Sequence, residues 1–578
     1  MTDLVDAVLA SCDRWGPASG LSSAPRSGPR IETAPRGLSS APRSGPRIET
    51  APSGLSSAPR SGPRIETLTY AELGSAIRST AAGLRAAGMR RGDRVLFSVR
   101  PGPDAVILAL GVVHAGGTVV FADPGAGETL FRARTALAAP TWVAAESLLY
   151  LASTRPLRRF ARSRGLDLAP YAQVVPDARH LYAGRWLPGV PRGALSVSGL
   201  RSAPRAGGVA RPAGDDEALI VFTSGTTEAP RAVVHTRASL GAGLGDIAGA
   251  AMRPGQRVVT DQLMVGIPAL IAGAHWIMPT PGLDPGAAPR RYLELLPDAD
   301  ALFVSPAALD AILRLLESSP HLAPRRLETL LLGGAPVLRP LLRRAVERFP
   351  GVTIRAVYGM TEILPVAIAD GAEKLARADA AGDYAGRLVP SVRARLDDGE
   401  LVLAGPGLAS RYLGEQPLTE VRTGDLARLD GDEVTLLGRR KDMFIRGTQN
   451  VYPALYEPVI AGLPGVREAV LSGVPDAIGD DRIVVVVVPS TDPPRELTTR
   501  HPLAAAVRAA LPGLLDAGVL PDVVCVSPEL PRSGRSRKLD RRAIAQQVQE
   551  LLPAPDADAA GSSGEAQGNS GETHGGRS

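Results

Sequence analysis

The sequence predicts an α/β protein: a large, multi-layered N-terminal domain with parallel-rich sheets, followed by a small α+β C-terminal domain. Three observations carry this. Helical and strand patterns alternate through the middle of the chain, as in layered folds with crossover connections. The length, 578 residues, exceeds what one core holds. From Gly438 onward the pattern changes to a shorter unit, with a near-continuous valine strand at Ile483–Pro489 and helical spacing over Leu503–Leu511.

The first 67 residues are expected to be disordered. Gly20–Thr33 recurs unchanged at Gly37–Thr50 and Gly54–Thr67, a 17-residue period, and Gly199–Arg205 echoes it. A stacked repeat must bury an apolar face, and these copies offer only Leu and Ile among Pro, Gly, Ser and Arg. The fold begins at Leu68–Leu73. Tyr70–Ala87 reads as a helix, Arg94–Ser98 as a strand, Pro103–His114 as a helix ending at glycines, and Thr118–Phe121 as a strand. Ala105 to Ala122 is the longest apolar stretch. His114 and Gly116-Gly117 interrupt it, so it reads as buried helix, turn and strand rather than a membrane span. Pro340–Arg348 is a further helix between strand signals. The large domain is expected over 68–437, the small one over 438–552 with a linker near Arg440-Lys441-Asp442, and a disordered Gly/Ser/Ala-rich tail over 553–578.

Composition narrows the function. Apolar content of 44% and charged content of 21% are those of a soluble globular protein. The formal charge of +6 is scattered, with no basic block interleaved with aromatics, which argues against nucleic acid as a partner. Cys12 and Cys525 form neither a disulfide framework nor a metal cluster, and no secretion signal opens the chain, so the cytoplasm is the expected compartment.

Lysine is nearly absent. Of 65 basic residues only Lys374, Lys441 and Lys538 are lysine. A compact ammonium reaches a point charge that a planar guanidinium meets less well. Lys441 and Lys538 both stand in basic, loop-like contexts suited to phosphate, whereas Lys374 reads as a surface survivor. A second signal is the apolar strand Ala218–Phe222 running into Thr223, Ser224, Gly225, Thr226 and Thr227, with Arg231 beyond. Such a turn offers N–H and O–H donors to phosphate oxygens while Arg231 supplies charge. It lacks the glycine spacing and the lysine of the common phosphate loop.

Taken in order, these and four further motifs resemble the superfamily of adenylate-forming enzymes, over about Leu68 to Ile544. Thr223–Thr227 is similar to its nucleotide phosphate loop and Leu332-Gly333-Gly334-Ala335-Pro336 to its adenine-side strand and turn. Tyr358-Gly359-Met360-Thr361-Glu362 is similar to its aromatic-Gly-x-Thr-Glu signature and Thr423-Gly424-Asp425 to its ribose-binding motif. Gly438-Arg439 through Pro453 resembles the hinge, about which the small domain rotates between half-reactions. The resemblance implies ATP and Mg²⁺. Tyr358 would stack on adenine, Thr361 would bond the α-phosphate and Glu362 would help hold the metal. Asp425, with Arg439 alongside, would take the ribose hydroxyls, and Lys538 would bridge carboxylate and α-phosphate.

The departures shape the expected activity. The phosphate loop continues Glu228-Ala229-Pro230-Arg231-Ala232 where the family has Gly-x-Pro-Lys-Gly. The family's histidine-bearing segment near the acyl site is replaced by Leu263–Leu270, which suits an apolar acyl chain. Gly447-Thr448 stands where acyl-CoA synthetases have two glycines, predicting a crowded path for pantetheine, and Arg537 stands where glycine precedes the lysine. The expected function is ATP-dependent activation of a carboxylic acid, a medium or long fatty acid, with transfer to CoA or a carrier protein. One alternative is a β-lactone synthetase-like closure of a β-hydroxy acid, suggested by Thr361–Val366. Another is a degenerate adenylate-binding protein, against which Glu362, Asp425 and Lys538 argue.

Overall fold

The computed structural model describes residues 3–23, 66–163, 168–202, 213–222, 231–296, 298–377, 382–446, 449–475, 481–515, 519–533 and 538–552. The chain clusters into two units. The first comprises Met1–Ala378, Tyr384–Thr423 and Arg428–Thr435, and the second Asp379–Asp383, Gly424–Ala427 and Leu436–Ser578.

Two sheets organise the first unit. In the eight-stranded sheet, Glu217–Phe222, Thr118–Phe121, Arg94–Ser98, Trp142–Glu146 and Arg179–Ala183 run parallel in that order, continuing to Leu195–Ser196. Its other edge is antiparallel, from Glu217–Phe222 to Ala232–Thr236 to the short strand Arg411–Tyr412. In the thirteen-stranded sheet, His275–Met278, Arg257–Val259, Ala301–Val304, Thr329–Gly333 and Thr353–Met360 are parallel neighbours. Ile363–Asp370 then turns back antiparallel. The parallel strands are covered on both faces, which is why Leu330, Leu331 and Leu332 are consecutive and all buried. The α/β expectation with parallel-rich sheets therefore holds.

Helix boundaries follow local chemistry. Tyr70–Ala86 starts on a capping box in which Thr69 and Glu72 satisfy each other's backbone N–H groups. Pro103–Ala115 stops at Gly116, whose φ of +94° is a left-handed cap.

The expectation of disorder from residue 1 fails over Asp3–Ser23. Leu4, Val5, Val8, Leu9 and Cys12 recur at helical spacing and are buried on one face of the helix Leu4–Trp15, which Asp3 caps. Arg237, 1% exposed, donates to both carboxylate oxygens of Asp3 and to the Val113 carbonyl. The first repeat copy contributes Gly20–Ser23 to the strand Ser19–Ser23, which runs parallel to His275–Met278. The last copy contributes Glu66 and Thr67 to the strand Glu66–Thr69, its antiparallel partner. The rest of the repeat array, 24–65, lies outside the described residues, as does the tail from 553.

Lys374 is not a surface survivor either. It is 2% exposed, and its Nζ donates to the Tyr384 carbonyl at 2.6 Å.

The second unit centres on Val466–Pro475, Asp481–Pro489 and Val523–Val526, the first pair antiparallel and the second parallel. The valine run serves two faces. Ile483, Val485 and Val487 pack with Ile460, Ala504 and Val507 on helices Pro453–Ala461 and Pro502–Ala510. Val484, Val486 and Val488 pack with Ile544 and Val548 on helix Arg541–Leu551. Alternation with both sides buried makes the strand apolar throughout. Cys12 and Cys525 are buried and unpaired. Among the described residues no helix is long and apolar enough to cross a membrane.

Candidate active site

Two of the sequence motifs meet at the carboxyl ends of adjoining parallel strands. Gly333 pairs with Val357 in register, so Gly334-Ala335-Pro336 leaves one strand end beside Tyr358-Gly359 on the next. Carboxyl ends of parallel strands are where α/β sheets bind ligands. Gly334 has φ +81° and open space beside its Cα, so the turn exposes backbone where a side chain would stand. At Gly359 a Cβ would meet the Leu364 side-chain methyl, so the leucine packs against the bare backbone there. Thr361 and Glu362 form the turn into Ile363–Asp370, with Thr361 exposed and the Glu362 side chain drawn inward, 8% exposed.

Glu362 is held from the direction of Arg411–Tyr412. The Tyr412 phenol donates to Glu362 Oε1 at 2.8 Å, and the Ala409 N–H donates to the Glu362 carbonyl at 2.8 Å. His235 steadies the preceding residue. Its Nε2 lies 2.8 Å from the Thr361 carbonyl, which can only accept, so Nε2 carries the proton. Burial lowers the His235 pKa, so the ring is neutral and Nδ1, 3.1 Å from Ser239 Oγ, accepts.

The hydroxyl-rich loop joins two paired strands, since Phe222 and Ala232 are register partners. Thr223, Ser224, Gly225, Thr226 and Thr227 lie outside the described residues. Arg231, at the loop's exit, is described. Its guanidinium lies 3.7 Å from the centre of the Tyr412 ring and donates to Glu415 at 3.1 and 3.3 Å. Arg231, Tyr412 and Glu362 thus form one contiguous group. Tyr412, Glu415 and His235 escaped the sequence reading: Tyr412 follows Glu362 by fifty positions, and Ser410-Arg411-Tyr412-Leu413 carries no catalytic signature.

The second unit holds Asp425, Arg439 and Lys538, while Thr423 falls in the first. Asp425 is buried, and Arg439 Nε pairs with its Oδ1 at 2.5 Å, so the two residues expected side by side are so placed. Lys538 begins the strand Lys538–Leu539, paired with Arg532–Ser533. Its neighbour Arg537 and the pair Gly447-Thr448, between register partners Arg446 and Gln449, lie outside the described residues. Three positions past Lys538, Arg541 donates to both carboxylate oxygens of Glu457, at 2.6 and 2.7 Å, fixing the start of the last helix.

The profile of the AMP-binding enzyme family matches residues 57–413, and that of the AMP-binding enzyme C-terminal domain matches residues 456–538. This chain belongs to the AMP-binding enzymes. A feruloyl-CoA synthase from an Amycolatopsis species is 29% identical over 452 residues, covering 73% of this chain and 84% of that protein. A long-chain-fatty-acid–CoA ligase of Thermus thermophilus is 28% identical over 535 residues, covering 83% and 90%. The solved amide bond synthetase from Marinactinospora thermotolerans shares the fold, with a TM-score of 0.69 and 20% identity over 94% of this chain and 99% of that one. The chain is an adenylate-forming, AMP-forming ligase of the acid–thiol class. Glu362 supplies one inward carboxylate, the kind of hard oxygen ligand that a magnesium carried by a nucleotide takes, and among the described residues no three His, Cys, Asp or Glu side chains gather.

Proposed function

We propose that this ligase activates an apolar carboxylic acid, a medium or long fatty acid, with ATP and passes the acyl group to the thiol of CoA or of a carrier protein. The observation that carries the reading is the meeting of Gly334–Pro336 with Tyr358–Glu362 at adjoining strand ends. A bare backbone turn beside an aromatic ring suits a purine, and an exposed Thr361 hydroxyl suits a phosphate oxygen. Magnesium, held in part by Glu362, would offset charge on the phosphates. A carboxylate oxygen of the acid attacks the α-phosphorus, the bond to the β-phosphate oxygen breaks, and pyrophosphate leaves. Asp425 with Arg439 is assigned to the ribose and Lys538 to the charge that develops between acid and α-phosphate. In the second step the thiolate attacks the acyl carbon and AMP departs with the bonding pair.

Support for an apolar acid comes from Leu263–Ile271, a helix with Val265, Ile267 and Leu270 buried and no ionisable side chain. One of the two relatives named above is a long-chain-fatty-acid–CoA ligase. The test is acid-dependent pyrophosphate release across a panel of aliphatic and aromatic acids, with mass spectrometry of products with and without CoA. Medium or long fatty acids should give the highest turnover and an acyl-CoA product. Preference for a small polar acid would overturn the substrate assignment. Thr448→Gly, included as a second arm, should speed thioester release if CoA is the acceptor and leave the native product rate unchanged if it is not.

A further inference from the structure

We propose that Tyr412 is the positioning residue of the nucleotide site, its hydroxyl aiming the Glu362 carboxylate while its ring carries the Arg231 guanidinium. The inference rests on the function proposed above and extends it to a side chain outside the motifs. Tyr412 and Glu362 are each 8% exposed, so the bond between phenol and carboxylate is made away from bulk water. The segment that carries it is tied to the strand that follows Arg231 and to the Thr361–Glu362 turn. Tyr412 pairs in register with Val233, the Leu413 N–H donates to the Ala232 carbonyl, and the Ala409 N–H donates to the Glu362 carbonyl. Backbone bonds from this short segment therefore tie the phosphate-loop strand to the Thr361–Glu362 turn, and the phenol ties their side chains.

The chemistry of each contact suits the role. A phenol is a donor at working pH, and this one is directed at Glu362 Oε1 at 2.8 Å. One phenol bond does not use up a carboxylate, which has two oxygens. An arginine stacked by its face on an aromatic keeps its N–H edge for a phosphate. Glu415 now takes that edge, but the pair is about half exposed on both sides, 51% and 50%, a weak contact that triphosphate oxygens can replace. A phenylalanine would keep the platform and lose the aim, whereas a leucine would lose both.

The test is calorimetric titration of the full chain with ATP alone and with ATP plus Mn²⁺, for wild type, Tyr412→Phe, Tyr412→Leu and Glu362→Gln, with melting curves alongside. Tyr412→Phe should bind metal-free ATP within about twofold of wild type and Mn·ATP about tenfold more weakly, the loss of one hydrogen bond to a charged group. Glu362→Gln should show the same metal-selective loss, and adding Tyr412→Phe to it should weaken Mn·ATP no further. Tyr412→Leu should weaken metal-free ATP as well. Mn·ATP binding by Tyr412→Phe at the wild-type level, or an equal loss with and without metal, overturns the proposal. Should Tyr412→Phe melt early, the Glu362→Gln comparison decides: a loss that is not metal-selective overturns it too. If wild type itself gains no affinity from Mn²⁺, the function proposed above fails first, and this proposal with it.

Discussion

Replacing Asp3 by Ala should destabilise the first unit strongly. Arg237 is buried to 1% exposure on its side chain and Asp3 to 9%, and the two share hydrogen bonds of 2.7, 2.9 and 3.1 Å. Removing the carboxylate leaves a guanidinium out of water with the Val113 carbonyl and Asp6, 3.9 Å away, as remaining partners. Breaking a buried pair in this way costs about 3–5 kcal/mol. Asp3 also caps the helix by accepting from the Asp6 N–H at 2.9 Å, a contact worth about 1 kcal/mol. Asp6 recovers part of the loss, so the expected sum is about 4 kcal/mol. All four tryptophans, Trp15, Trp142, Trp186 and Trp276, lie in the first unit, so tryptophan fluorescence in a urea titration reports that unit alone. The urea midpoint should fall well below wild type. Asp3→Leu combined with Arg237→Leu should recover much of the difference, because an apolar pair carries no desolvated charge. An Asp3→Ala midpoint indistinguishable from wild type would refute the docking of the N-terminal helix.

Deleting Gly20–Ser53, two whole 17-residue periods, should leave that midpoint unchanged, because Ser19 then runs into Gly54-Leu55-Ser56-Ser57, the same tetrapeptide that forms the strand. Extending the deletion through Ser57 removes every copy of the strand and should lower the midpoint; equal effects from both deletions would contradict the pairing. Acidification should destabilise the fold in a defined window. Burial, with Arg85, Arg237 and Arg78 nearby, lowers His114 from 6.5 to about 4, and burial also lowers His180, His235 and His275. A base whose folded pKa is depressed binds its proton more readily when unfolded, so this stability is full above about pH 6.5 and is lost as pH falls towards 4. A fluorescence midpoint that rises as pH is lowered from about 6.5 to about 5 would run against it.

Much of the large domain was legible because its signals are local. Alternating helix and strand and the glycine stop at Gly116 need no tertiary context. The motif residues 334–336 and 358–362 stand out in the sequence, and the parallel register explains why they adjoin. The N-terminal helix was hidden by the repeat array on its C-terminal side. Those repeats dominate the composition of the first 67 residues, while the buried stripe from Leu4 to Cys12 is short. Gly20–Ser23 has no strand signature of its own and becomes a strand because His275–Met278 offers an edge. Lys374 misled because a buried lysine needs a carbonyl, here that of Tyr384, which only the fold supplies. Tyr412 was invisible for the same reason, since its value lies in touching Arg231 and Glu362 at once.

The measurement that bears most directly on the central claim is acid-dependent exchange of labelled pyrophosphate into ATP by the full chain and by Lys538→Ala. Wild type should exchange only when an acid is present. The variant should lose exchange by hundreds-fold, the effect of about 3–4 kcal/mol of electrostatic stabilisation, while its calorimetric affinity for ATP stays within a few-fold of wild type. Exchange by Lys538→Ala within a few-fold of wild type would contradict the role of the lysine. No exchange by wild type with any acid would contradict acid activation itself.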